Sequence, residues 1–178
     1  MKLNNQSLAP EFSTADVYGN SINLADYRGH KVLLSFHRYV GCPICNLRVH
    51  SFEQLNNDGV KIINVYESKP ETMRKYLKDS PFIATFIADR DAQLYKHYGV
   101  EKSWFQFVVG LLKGGVLKGI EGIKLYKGGI KGMPIPDGLF SRIPADFVID
   151  EQGIIIEAYY GKHLGDELSI EKIKAHLS

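Results

Sequence analysis

Two cysteines are the only thiols in the chain, and they stand three residues apart in Cys42-Pro43-Ile44-Cys45. Residues three apart on a helix share a face, so both sulfurs would point the same way. Pro43 suits the first turn of a helix, where its missing N–H is not needed. A helix N-terminus carries partial positive charge and unpaired N–H groups, which favour thiolate over thiol. The chemistry this permits is redox. A thiolate attacks a peroxide or a disulfide, and the neighbouring sulfur closes an intramolecular disulfide. Arg38, Arg48 and His37 are close enough in the chain to supply a cation that lowers a thiol pKa from about 8.5.

The elements that must position this pair can be read on either side of it. Val32-Leu33-Leu34-Ser35-Phe36 is an apolar run of strand length, and it predicts a buried strand leading into the corner. Gly41 lets the backbone turn sharply. Ile44, Leu47, Phe52 and Leu55 then recur at helical spacing until Asn56-Asn57-Asp58-Gly59 stops the helix. Upstream, two short strand candidates flank the Tyr18-Gly19-Asn20 turn, an N-terminal hairpin extension, and Leu24 to Gly29 reads as one helical turn closed by glycine.

Downstream, residues 60–66 read as a second strand. Ser68-Lys69-Pro70-Glu71 has the spacing of a capping box before a helix with Met73, Tyr76 and Leu77 inward. A third strand is expected over 82–88 and a short helix from Asp89 to Gly99. Arg142 to Asp150 and Ile154 to Tyr160 form a hairpin about Glu151-Gln152-Gly153. The last helix is expected from about Asp166 to Leu177, burying Ile170, Ile173 and Leu177, with His163 and Asp166 as loop and cap. Strands and helices alternating at these lengths predict an α/β fold with a sheet flanked by helices.

Residues 103–139 break that rhythm. Trp104 to Leu112 is apolar nearly all round, and glycines follow at 114, 115, 119, 122, 128, 129, 132 and 138. A structureless connection of this length is unusual in a compact domain. The stretch predicts a glycine-rich insertion of one or two helices with mobile joints. It either packs over the sheet and completes the core, or offers a homodimer surface or an apolar pocket wall near the cysteines.

Composition excludes several classes. A chain of 178 residues with 44% hydrophobic content reads as one domain, 1–178, burying about two-thirds of its unfolded surface. A net charge of +2 without a dense basic cluster argues against nucleic acid as a partner. Two neighbouring cysteines cannot staple a secreted fold, and Met1 to Gln6 lacks the apolar core of a signal peptide. No run approaches the roughly 18 apolar residues of a membrane span, so no membrane partner is expected and a cytoplasmic setting is. A zinc site lacks two further ligands at metal spacing, so neither metal nor cofactor is expected.

Ala9-Pro10-Glu11-Phe12, the Gly19 turn, Leu24-x-Asp-Tyr-x-Gly29, the apolar strand, Cys-Pro-Ile-Cys and Pro-Ala-Asp-Phe-Val-Ile-Asp occur in that order. In this the chain resembles the alkyl hydroperoxide reductase/thiol-specific antioxidant (peroxiredoxin-like, redoxin) branch of the thioredoxin-fold superfamily. The resemblance implies a thioredoxin-like fold with a central mixed sheet. In peroxiredoxins the strand is followed by Pro-x-x-x-Thr-x-x-Cys; laid on this chain, the pattern places Arg38 for the proline, Cys42 for the threonine and Cys45 for the peroxidatic cysteine. In thioredoxins the first cysteine of the pair, here Cys42, is the nucleophile. The same resemblance implies a cis Ile143–Pro144 bond beside the thiols. It also offers Arg142 in place of the catalytic arginine of peroxiredoxins.

Three activities follow as expectations. One is a thiol peroxidase acting on hydrogen peroxide or alkyl hydroperoxides, and another is a thiol–disulfide oxidoreductase. The third is a redox sensor that does not turn over. The first two need an external thiol reductant such as thioredoxin or glutathione.

Overall fold

The computed structural model describes residues 1–55, 59–77, 84–126 and 129–177. Its centre is a five-stranded sheet in the order β5-β4-β3-β6-β7. The strands are β3 (Val32–Phe36), β4 (Lys61–Tyr66), β5 (Thr85–Ala88), β6 (Ala145–Ile149) and β7 (Ile155–Tyr160). β3 runs parallel to β4 and antiparallel to β6, and β4 runs parallel to β5. A mixed sheet flanked by helices is the thioredoxin-like architecture expected of the chain. β1 (Ser13–Ala15) and β2 (Ser21–Asn23) pair as a separate hairpin. Its turn is held by Asp16, whose side chain accepts the Tyr18 and Asn20 N–H groups, with Gly19 at positive φ.

All five residues of β3 are buried, because the strand has packing on both faces. Successive side chains point to opposite sides. Leu34 and Phe36 join Ile63, Val65, Phe147, Tyr95 and Tyr98 on one side. Leu33 joins Phe52, Leu55, Val148, Leu168 and Ile173 on the other. The first side includes α3 (Gln93–His97), and the second includes α6 (Ile170–Leu177). A third cluster, built from Val40, Ile44, Val49, Tyr66, Met73 and Phe86, surrounds the cysteine corner.

Several boundaries differ from those the sequence suggests. The cysteine helix, α1 (Pro43–Ser51), tightens into a 3-10 turn over Phe52–Leu55, and residues 56–58 lie outside the described residues. The first two residues of the third strand, 82 and 83, lie outside them as well. α2 (Pro70–Leu77) buries Met73 and Leu77, but Ser68 is not its capping-box residue. The Ser68 hydroxyl accepts the Val40 N–H and donates to Asp137, and Asp137 accepts the Lys69 N–H. A carboxylate from the insertion thus replaces the local cap. α6 starts at Ile170 rather than near Asp166, because the Leu168 N–H goes to the buried Asp146 carboxylate instead of into a helix.

The insertion forms α4 (Trp104–Gly110) and α5 (Val116–Ile123), joined by a short wide-turn segment kinked at Lys113 and Gly114. α5 packs along α1. Glycine makes this approach close: a Cβ added at Gly122 would overlap the Pro43 carbonyl, and one at Gly110 would overlap Leu164. Gly122→Ala is therefore expected to destabilise the protein by about 1–3 kcal/mol through overpacking. Gly119→Ala, where nothing stands near the added carbon, is expected to stabilise the helix by up to about 1 kcal/mol. Denaturant unfolding of the two variants checks both signs.

Candidate active site

The corner between β3 and α1 is fixed by backbone hydrogen bonds before any side chain acts. The His37 N–H donates to Val65 and the Glu67 N–H to Arg38, so the chain beyond β3 stays laced to the chain beyond β4. The Cys42 N–H donates to the Tyr39 carbonyl at 2.9 Å, closing the turn. The Asn46 side chain donates to the Val40 carbonyl at 2.7 Å and meets the Tyr126 hydroxyl, so the end of the insertion braces the same loop. Gly41 is required here, since a Cβ would overlap the Pro134 carbonyl.

Cys42 is the N-cap residue of α1, and Pro43 is its first helical residue. The Cys42 sulfur accepts the Cys45 backbone N–H at 3.1 Å, taking one of the orphan donors of the helix start. It also accepts from Nη2 of Arg38 at 2.9 Å. The Arg38 backbone N–H lies 3.5 Å from the Cys45 sulfur, so one residue touches both. Burial pushes the Cys42 thiol up, but the Cys45 thiol, the Arg38 guanidinium and the Cys45 N–H together bring its pKa down to about 6. Cys45 moves the other way. Burial, its hydrogen bond to Cys42 and the Cys42 charge hold it well above the ordinary thiol value. The arrangement is one thiolate and one proton-bearing partner, both reduced.

The other cations suggested by the sequence have different partners. Arg48 is buried rather than solvated, with Nη2 on Asp146 Oδ2 at 2.9 Å and its guanidinium 4.6 Å from the Phe52 ring centre. Ser35 and the Leu168 N–H complete the Asp146 shell. His37 is no cation: burial lowers its pKa to about 4, despite its hydrogen bond to Asn64. Arg142 turns away from the sulfurs to Glu67 at 2.8 Å, the Val100 carbonyl and the Tyr95 ring.

Pro144 follows a trans bond, since no peptide among the described residues is cis. Trans is the lower-energy form of an X–Pro bond, and Pro144 serves here by accepting the Gly161 N–H just before β6. Glu167, half-buried before α6 and not singled out from the sequence, has its carboxyl pushed up to about 7 by burial. Arg48 and Lys118 pull it down, while Asp146 and Cys42 add to the rise.

The pair is sealed at rest. Cys42 is 0% exposed and Cys45 6%. Arg38, itself buried, lies between the Tyr39 and Phe107 rings and donates through Nη1 to the Phe140 carbonyl at 3.0 Å. Phe107 comes from α4 and Phe140 from the end of the insertion. A reacting molecule reaches the sulfurs only when this cover shifts.

Residues 6–158 match the AhpC/TSA family. Peroxiredoxin Bcp of Escherichia coli is 32% identical over 104 residues, 54% of this chain and 66% of that protein, so the chain spans just under two-thirds of that relative. Among solved structures, a thiol peroxidase from Chromobacterium violaceum superposes with a TM-score of 0.65 at 11% identity, covering 99% of this chain and 87% of that one. Peroxidoxin BcpB from Mycobacterium tuberculosis gives 0.61 at 13% identity over 97% and 93%. At such identities the structural likeness speaks for the fold alone.

Thiolate absorbance of the reduced protein is expected to titrate with a midpoint of about 6. It should persist in Cys45→Ser and vanish at neutral pH in Cys42→Ser. Arg38→Met should raise the midpoint to or above the free-thiol value of about 8.5. The depressed Cys42 pKa also makes stability pH-dependent. Its contribution is fully present above about 8.5 and is lost as pH falls through about 6. Denaturation midpoints of the reduced protein should therefore climb across that window while those of Cys42→Ser do not.

Proposed function

The chain belongs to the AhpC/TSA family, and on that footing we propose that it is a thiol-dependent peroxidase cycling between the Cys42/Cys45 dithiol and a Cys42–Cys45 disulfide. Its substrates are hydrogen peroxide or alkyl hydroperoxides. The observation that carries the reading is the Arg38 guanidinium on the Cys42 sulfur at 2.9 Å, with the Cys45 N–H on the same atom at 3.1 Å. These donors make Cys42 the attacking thiolate.

In the cycle, the Cys42 sulfur donates an electron pair to the distal peroxide oxygen and the O–O bond breaks. Cys42 becomes a sulfenic acid, and the leaving alkoxide takes a proton and departs as alcohol or water. The Cys45 thiol then attacks the sulfenic sulfur, the S–S bond forms and water leaves. An external thiol reductant, one thioredoxin dithiol or two glutathione molecules, reduces the disulfide by exchange, which suits a reducing compartment such as the cytoplasm. Arg38 Nε is buried without a partner among the described residues, and it is a donor available to the oxygen on which charge develops. Pro43 starts the helix that sets the sulfur spacing. Arg48, Arg142 and Pro144 hold the frame: the first through Asp146, the second through Glu67, the third through Gly161.

A second reading rests on the same N-capping sulfur. A thiolate at the first position of Cys-x-x-Cys also opens disulfides, with Cys45 resolving the mixed disulfide.

Peroxide consumption with a thiol reductant is expected of the wild type and lost in Cys42→Ser. Cys45→Ser should stop at a sulfenic acid that a dimedone probe traps. Trapping in Cys42→Ser but not in Cys45→Ser would transfer the attack to Cys45. Insulin reduction without peroxide consumption would replace the peroxidase by the exchange activity.

A further inference from the structure

The insertion wears its amphipathic pattern inside out. A helix on a protein surface ordinarily turns its apolar stripe to the core and its polar residues to water. Here the side turned inward carries Phe107 and Leu111 against the cysteine cluster but is otherwise lined by small residues. Gly110 packs on Leu164, Gly115 on the Gly110 carbonyl and Gly122 on the Pro43 carbonyl, each too close to admit a Cβ. Six large side chains stand outward. Trp104, Phe105, Leu112, Val116, Leu117 and Ile120 are between 51% and 83% exposed. So many exposed large apolar side chains on one short segment mark an interaction site.

The charges beside it choose the occupant. Residues 102–126 hold lysines at 102, 113, 118 and 124 against a single acidic residue, Glu121. Lys118 is tied to the Gly165 carbonyl at 2.7 Å; a second copy docked face to face would set the other three lysines against three, with only two glutamates to offset them. An anionic lipid surface is complementary on both counts. It takes Trp, Phe and Leu side chains at the headgroup boundary, and its negative potential attracts the lysines.

We propose that the outer face of the kinked α4–α5 insertion docks the protein on anionic membrane surfaces, lying in the headgroup plane without crossing the bilayer. No helix among the described residues is long and apolar enough to cross, and lying flat requires no such length. Because Phe107 on the inner side of α4 packs over Arg38, the docked face is also the cover of the cysteine pair. The docking does not depend on thiol turnover.

Trp104 is the only tryptophan in the chain, so its fluorescence reports on the face directly. Vesicles of phosphatidylglycerol and phosphatidylcholine in equal parts should shift that emission to the blue and carry the full-length protein down on sedimentation. Phosphatidylcholine vesicles alone should do neither, and added salt should weaken the effect. Lys113→Glu with Lys124→Glu should lower partitioning by about tenfold or more, at roughly 1 kcal/mol for each lysine near the surface. Leu112→Asp with Leu117→Asp should abolish it, with unchanged thiolate absorbance showing an intact fold. Absence of binding to either vesicle, or equal binding to both, overturns the proposal. So does a dimer indifferent to vesicles that the aspartate pair splits.

Discussion

A guanidinium resting on a sulfur in a place without water is the interaction on which the rest of this structure depends. Burial alone would keep both thiols protonated, since a charge without solvent is unfavourable. The Cys45 thiol and the Arg38 guanidinium together reverse that for Cys42, and the charge so gained keeps the second sulfur from ionising beside it. The helix start contributes as well, through the Cys45 N–H that would otherwise lack a partner. The outcome is an asymmetric pair whose two protons do not titrate alike.

That arrangement constrains everything around it. Arg38 stands buried with its backbone laced to Glu67, Nη1 on the Phe140 carbonyl and its plane against two aromatic rings, and only Nε is left without a partner among the described residues. The layer beneath is equally polar, and its central carboxylate is satisfied from three sides. Asp146 collects Ser35, Arg48 and the Leu168 N–H, so β3, α1, β6 and the loop before α6 meet on one carboxylate. Breaking one partner of such a buried pair would leave an uncompensated charge. The corner keeps its geometry because the carboxylate below and the guanidinium above are both already occupied.

The strand, corner and helix were legible because their signals are local: an apolar run, a glycine, a proline at the first turn, an apolar period. The α/β sheet followed from the same kind of signal, repeated, and its thioredoxin-like form from the family resemblance. Arg48 was not legible, because its burial depends on a carboxylate 98 residues away, and nothing near it in the chain announces that partner. Arg142 was misdirected by proximity to Pro144; the fold takes it to Glu67 across the sheet. Ser68 fits a capping box in spacing, yet Asp137 reaches in from the insertion and claims it. His37 sits where a proton carrier would help, but complete burial strips it of charge. In each case a residue type and a spacing were read correctly, and a partner distant in sequence decided the role.

The seal over the sulfurs and the reactivity of the sulfurs draw on one group. While Cys42 is a thiolate, Arg38 has an anion on one side and the insertion on the other, and the cover is held by a satisfied cation. Once the pair is oxidised, the sulfur loses its negative charge. Arg38 is then a buried cation with a carbonyl, two ring faces and no anion, a state whose desolvation cost is no longer offset. The cheapest relief is hydration of the guanidinium, which requires Phe107 and Phe140 to move aside. On the proposed cycle a reductant would therefore meet a looser cover than the peroxide did, and the difference would arise from a single change of charge on one sulfur atom.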